Sequence, residues 1–513
     1  MRILLVNGNT SRCARSGYGP TPAPAGLISL GGVLREHGHQ VTIRQIANHV
    51  PAQDEDSLPL LRAELEPILE ACQPDVIGIS CRNIGAARRR ENPFKLFAYY
   101  SVFYDERLVR GFRMLSDAPI VMGGTAYSIE PALYTRYAKP DYGLVGEAED
   151  TLPALLDAIS TGQAPSDIPG LVRELGDVDH AWQNCGRTRD LSVMRLGAAD
   201  LLENFRECYY DGGGYAPILT KRGCHMNCVY CTTPDMEGAC YRYRPMENVI
   251  QEMKAYRDRW GVQDFFIVDS TFNDPPEHAY EICDAIASEV PGARWFTEVT
   301  PKIVTDDLVR AMKRAGCTSI SFTPDACSET VLKSYGKGFG IAEVRNAIEI
   351  LKRHELPFDT CVIVGGPGET RETLAEGLAF CGEHLSDQVV RFYDGMIVTA
   401  RSPVYSIAVK EGVIDPEISY DELVLSNNFR GIKAYEYFFP HIQEQRKEFA
   451  AEVRAACTGP SWLVTSQDYV PDPQTGEFSL HPDIQVEAGA RPWWRGMTRK
   501  SAGMGGSADK ETT

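Results

Sequence analysis

The chain has no uninterrupted apolar run of about 18 residues, the length a helix needs to span a bilayer, so no membrane role is expected. Positive charge is also in short supply. Lys and Arg number 52 against 70 Asp and Glu, a net charge of −18. Binding a phosphate backbone needs a basic face, so no nucleic-acid partner is expected. The one basic run, Arg88-Arg89-Arg90, is short and adjoins Glu91. A disulfide framework is missing too. The 15 cysteines are an odd set, scattered through segments such as Gly316-Cys317-Thr318 and Thr360-Cys361-Val362, which suits a reducing compartment. At the N-terminus the apolar run Ile3-Leu4-Leu5-Val6 meets Asn7-Gly8-Asn9-Thr10 before a signal-peptide core forms. Together these absences predict a cytoplasmic protein. With 513 residues, 43% hydrophobic and 24% charged, the composition is ordinary and the length suits about three domains.

What is present concentrates in one stretch, Lys221-Arg222-Gly223-Cys224-His225-Met226-Asn227-Cys228-Val229-Tyr230-Cys231. A C-x3-C-x2-C spacing lets three sulfurs turn inward on one loop, and soft thiolates suit three corners of a [4Fe–4S] cube. Three protein ligands leave one iron open for chemistry. Zinc prefers four ligands, usually in paired C-x2-C units, and no second pair follows; His225 lies between the thiols on a crowded loop. The stretch resembles the radical S-adenosylmethionine (SAM) superfamily, whose cluster holds the amino and carboxylate groups of SAM at its open iron. The resemblance assigns Cys224, Cys228 and Cys231 to the cluster and places the aromatic Tyr230 beside SAM.

Residues 1–157 alternate short apolar strands with amphipathic helices: Arg2–Gly8, Gln40–Arg44, Asp75–Ser80, Ala118–Gly124 and Tyr142–Glu147. That pattern predicts a doubly wound, Rossmann-like parallel sheet with its ligand at the carboxyl ends of the strands. No G-x-G-x-x-G occurs, so a dinucleotide is not indicated. Pro24-Ala25-Gly26-Leu27, Gly38-His39, Gly123-Gly124 and Gly146-Glu147-Ala148-Glu149-Asp150-Thr151 together resemble the cobalamin-binding domain that precedes some radical SAM domains. A flavodoxin-like module without cobalamin is the other reading of the same turns. The resemblance implies cobalamin contacts at Asn9, Thr10, Arg82, Asn83, Gly123, Gly124, Thr125, Gly146 and Glu147. The D-x-H-x-x-G motif that supplies a histidine to cobalt elsewhere is missing, so no histidine ligand is expected.

Residues 158–210 read as a linker without chemistry. Residues 211–425 contain six strands alternating with helices, which with the cysteine loop imply a partial (β/α)6 radical SAM barrel. By resemblance the polar strand ends Asp269, Ser270, Glu298, Thr323 and Asp325, and the turn Gly365-Gly366, contact SAM. For each, a plain turn or cap is the alternative. Residues 426–513 form a small C-terminal region with aromatic clusters and a tail from Ser501 whose composition suits disorder.

The overall expectation is an α/β enzyme with a [4Fe–4S] cluster, SAM and cobalamin. The resemblance implies methylation of an unactivated carbon or phosphorus of a small metabolite, through methylcobalamin and a 5′-deoxyadenosyl radical. It also implies an external low-potential reductant of the flavodoxin or ferredoxin type. Two alternatives stay open: a cyclase or rearrangement enzyme without net methyl transfer, and a non-catalytic cobalamin- and cluster-bearing sensor or electron-transfer protein.

Overall fold

The computed structural model describes residues 1–10, 23–47, 58–81, 85–87, 99–201, 215–399 and 401–417, and in the C-terminal region 436–437, 446–456, 462–464, 469–471, 478–480, 484–486 and 497–499. Two sheets organise these residues. The first contains β1 (Arg2–Thr10), β2 (Gln40–Ala47), β3 (Val76–Ser80), β4 (Ile120–Gly123), β5 (Tyr142–Leu144) and β6 (Leu171–Val172), in the order β2-β1-β3-β4-β5-β6. Its pairs are parallel except β5–β6, so Leu171–Val172 from the expected linker closes the edge.

The alternation along β1 explains the layers. Ile3 and Leu5 pack with α1 (Ala25–Glu36) and with α2 (Thr151–Thr161), while Leu4 and Val6 join a second cluster on the opposite face. Strands buried on both faces read as continuous apolar runs because neither side meets water. Strand order reverses between β2-β1 and β3, so the switch point lies where Asn7, Ser80 and Gly123 stand in register at the carboxyl ends. His37 caps the far end of α1 and His39 precedes β2, both away from that edge.

The second sheet is β7 (Ala216–Ile218), β8 (Asp264–Ile267), β9 (Arg294–Val299), β10 (Cys317–Asp325), β11 (Phe358–Val364), β12 (Val389–Asp394) and β13 (Trp462–Val464), paired in that sequence and parallel throughout. The first six are the strands expected of the barrel. The seventh comes from the C-terminal region and extends the sheet. Trp462 is fully buried against Phe392, with ring centroids 5.6 Å apart, and its indole N–H donates to Leu385 O at 3.1 Å.

The α1/α2 layer of the first sheet and the barrel share one continuous hydrophobic cluster. A stretch of the expected linker is wedged into it. Gly32 lies so close to the linker that a Cβ there would meet Leu196 O at 2.2 Å. Buried Arg244 donates to Met194 O at 2.6 Å and Arg195 O at 2.8 Å, holding that segment to the barrel.

Candidate active site

The cysteine loop leaves β7 through Thr220 and Lys221, which Asp269 anchors from the end of β8. Asp269 accepts from Thr220 N at 2.8 Å and from Lys221 N at 3.2 Å, and its other oxygen takes the Thr220 hydroxyl and the Lys221 ammonium. Both partners of the Lys221–Asp269 pair are almost wholly buried. Lys221-Arg222 then pairs antiparallel with Arg242-Tyr243. Gly223 follows at φ +95°, with a Cβ only 2.3 Å from Cys240 O if one were present, so only glycine fits. Cys231 N donates to Cys228 O at 3.0 Å, and Val229 N to Tyr335 O at 3.1 Å, closing the turn and tying it to the barrel.

Cys224 and Cys228 are buried and Cys231 half-buried. Burial pushes the Cys224 thiol up to about 11, and the neighbouring Cys231 and Cys228 add to the shift. Burial likewise raises the Cys228 thiol, and thiols that resist ionisation on their own suit a cluster whose metal charge compensates them. Among the described residues no three His, Cys, Asp or Glu side chains converge tightly enough to hold a single ion.

The barrel brings some of the expected SAM contacts together. The Tyr230 hydroxyl donates to Asp325 Oδ2, and Lys337, which the sequence reading did not single out, reaches both. Glu298 stands beside Ser321 in register, and Thr323 donates to Val299 O at 3.3 Å. Enclosure by the barrel pushes Glu298 up to about 7, opposed by Arg391 and reinforced by Asp359 and Asp325. Its surface stays open to solvent, which weakens that shift. Ser270 is exposed, and Asp269 is committed to Thr220 and Lys221.

At Gly366 a Cβ would lie 2.3 Å from the Tyr335 hydroxyl, so Tyr335 is the group that demands a small residue there. Gly365 N donates to Glu369, which is 7% exposed. Burial pushes Glu369 up to about 8, against the Gly365 and Gly366 N–H groups that favour its charged form. A raised carboxyl contributes stability that is complete below the ordinary carboxyl range and is lost as pH rises through about 8. Glu369→Gln should therefore gain in melting temperature relative to wild type between about pH 6 and about pH 9. Parallel pH profiles for the two proteins would refute this.

At the switch point Gly123, Gly124, Thr125, Gly146 and Glu147 line one cavity of about 340 Å³, walled on its other side by Leu219, Arg222 and Arg244 of the barrel domain. Gly124 at φ +90° has no room for a Cβ, which would meet Cys81 O at 2.8 Å. Within β1, Asn7 is 1% exposed, and among the described residues neither polar atom of its amide has a hydrogen-bond partner. Its register neighbour Ser80 lines the cavity, so the orphaned amide stands one strand away, and the volume takes part of a corrinoid rather than the whole. Asn9 and Thr10 lie in β1, but their side chains, like all of Arg82 and Asn83, fall outside the described residues.

Glu147 also has a second commitment. It pairs with Arg242 at 2.5 Å and Arg222 at 3.1 Å, and accepts from Thr188 N at 2.7 Å. Glu149 holds Arg222 bidentately at 2.6 and 3.0 Å. Burial raises Glu149, and the Arg222 guanidinium outweighs it, leaving the carboxyl below its ordinary range. Arg222 stands two positions before Cys224. A turn of the first sheet therefore grips the strand that delivers the cysteine loop.

The radical SAM superfamily model matches residues 218–381, and that of the B12 binding domain matches residues 14–156. An uncharacterized methyltransferase of Pyrococcus horikoshii is 26% identical over 382 residues, covering 74% of this chain and 77% of its own. Tryptophan 2-C-methyltransferase of Streptomyces laurentii is 24% identical over 438 residues, covering 73% and 69%. Among solved structures, the radical S-adenosylmethionine methyltransferase TsrM of Kitasatospora setae, with cobalamin and [4Fe-4S] cluster bound, shares the fold. It gives a TM-score of 0.69 at 22% identity over 92% of this chain and 93% of that one. Both domains occur on one chain in the order that the motifs imply, and this protein belongs to the cobalamin-binding radical SAM enzymes.

Proposed function

We propose that the chain is a cobalamin-dependent methyltransferase acting on an unactivated carbon or phosphorus of a small molecule. One observation carries the reading: Arg222, two positions before Cys224, lines the switch-point cavity and is held there by Glu149. Group transfer between two cofactors needs such adjacency, since reacting groups must be held close and dry. Relatives named as methyltransferases cover most of the chain and support the same reading.

In this assignment Cys224, Cys228 and Cys231 hold the cluster, which leaves one iron for SAM. Gly123, Gly124, Thr125 and Gly146 let backbone approach cobalamin, with Asn7 added as a contact. When bound, the cluster supplies the electron that cleaves SAM, and cobalamin supplies a carrier for the methyl group. The chain orients both and excludes water. Residues 1–157 and 211–425 are taken as the two cofactor modules. Among the described residues no helix is long and apolar enough to cross a membrane. An external low-potential donor of the flavodoxin or ferredoxin class completes the scheme, and the net charge of −18 disfavours nucleic acid as a partner.

The test is anaerobic incubation of the cobalamin-loaded, cluster-reconstituted chain with reductant and methyl-deuterated SAM, products read by mass spectrometry. S-adenosylhomocysteine formed alongside 5′-deoxyadenosine supports methyl transfer. 5′-Deoxyadenosine alone would instead favour a cyclase or rearrangement enzyme, and neither product a non-catalytic protein.

A further inference from the structure

Lys337 is a buried ammonium that the scheme above does not use. It is 5% exposed, and its Nζ lies 2.5 Å from Asp325 Oδ2 and 3.0 Å from the hydroxyl of Tyr230, which immediately precedes Cys231. It also sits 5.7 Å from the Tyr230 ring centroid and 5.5 Å from that of Phe339, so aromatic faces surround the charge instead of water. The backbone delivers it there. Gly336, at φ +70°, packs so tightly on the cysteine loop that a Cβ would lie 2.4 Å from Asn227 O. Val229 N bonds Tyr335 O at 3.1 Å in the same contact. The turn carrying Lys337 is thus built onto the backbone that presents the thiols.

Asp325 is held just as specifically. It takes φ +62°, a left-handed conformation that non-glycine residues seldom adopt, and both Tyr230 and Lys337 bond its Oδ2. Lys337 interacts electrostatically with both Cys228 and Cys231. A fixed charge of each sign, shielded from solvent, therefore stands against the thiol loop. Fixed charges and hydrogen bonds around the sulfurs are the levers by which a protein sets the potential of an iron–sulfur cluster.

We propose that Lys337 and Asp325 are a buried charge pair that positions and tunes the cluster, the lysine favouring and the aspartate opposing its one-electron reduction. This rests on the assignment of Cys224, Cys228 and Cys231 to a [4Fe–4S] cluster. The step is a bare electron transfer. A low-potential donor, dithionite in the assay, loses one electron and the cluster gains it, with no bond or proton changing hands. Lys337 stabilises the extra negative charge of the reduced cluster. Asp325 penalises it and keeps the potential from rising too far for reductive cleavage of SAM.

The experiment is an EPR-monitored redox titration of the reconstituted chain without SAM, with iron content and circular dichroism recorded for each variant. Lys337→Met should lower the ratio of reduced to oxidised cluster at a fixed potential by at least about threefold. Asp325→Asn should raise it by at least about threefold, and the double variant should return towards wild type. Lys337→Arg should stay close to wild type. Opposite signs are the signature, because a purely structural pair would shift both variants the same way or only lose iron. Unmoved or same-direction midpoints would overturn the proposal. If Lys337→Met loses its cluster, Asp325→Asn still decides by its sign. Absence of any [4Fe–4S] signal from wild type would overturn the cysteine assignment itself, and the tuning proposal with it.

Discussion

Cys228→Ala is expected to abolish SAM cleavage while leaving cobalamin binding intact. With three protein ligands there is none to spare, since losing one exposes a second iron and unbalances the cube. Even an outer-shell partner of a metal site is typically worth 10–100-fold, so removing a ligand should cost at least ~100-fold in 5′-deoxyadenosine formation. The substitution is small in other respects. Cys228 is only 9% exposed on a turn held by backbone bonds, Cys231 N to Cys228 O at 3.0 Å and Val229 N to Tyr335 O at 3.1 Å. Alanine keeps that backbone, so the fold should persist. The switch-point cavity is lined by other residues, so the cobalamin absorption spectrum of the loaded variant should match wild type. Iron content, cobalamin spectrum and turnover together check the prediction. Joint loss of both cofactors from a folded chain would count against two separate sites.

The strands were legible because a parallel strand buried on both faces leaves a short apolar run between turn residues. Arg2–Gly8 lies within the observed Arg2–Thr10, and Gln40–Arg44 within Gln40–Ala47. The three residues Trp462–Val464 were not legible as a barrel strand, being too short to show a period. The position of the cysteine loop, directly after the first barrel strand, was legible from its motif and the apolar run before it. What spacing does not encode is who pairs with whom across the chain. Tyr230 meets Lys337 from 107 residues away, and Arg222 meets Glu149 from 73. A lone charged residue in sequence resembles a solvated one, and only the fold shows that it is buried and paired. Asp269 illustrates the point. The resemblance placed it at SAM, and in the structure its carboxylate is committed within the chain to Thr220 and Lys221, anchoring the loop.

The same reasoning makes the grip of Glu147 and Glu149 on Arg222 and Arg242 a second site of large effect. Glu149 is 4% exposed and Arg222 has 11% of its side chain exposed, so neither charge can be rehydrated in place. Glu149→Leu should therefore cost about 3–5 kcal/mol, most of it the penalty of leaving Arg222 buried with half its partners. Arg222→Met should cost a comparable amount by stranding Glu149. The double variant is the informative one. Removing both charges leaves no orphan, so its loss should fall short of the sum of the single losses by more than about 1 kcal/mol. Because this pair lies against a core that runs from the first sheet into the barrel, wild type is expected to unfold in one thermal transition and the single variants in two. Differential scanning calorimetry measures both effects. Strict additivity, or an unaltered single transition in both single variants, would mean that the continuous apolar core holds the two sheets together and that the arginine contributes little. Strong coupling would mean that Arg222, beside the Arg242–Glu147 pair, holds the cysteine loop in register with the switch-point cavity.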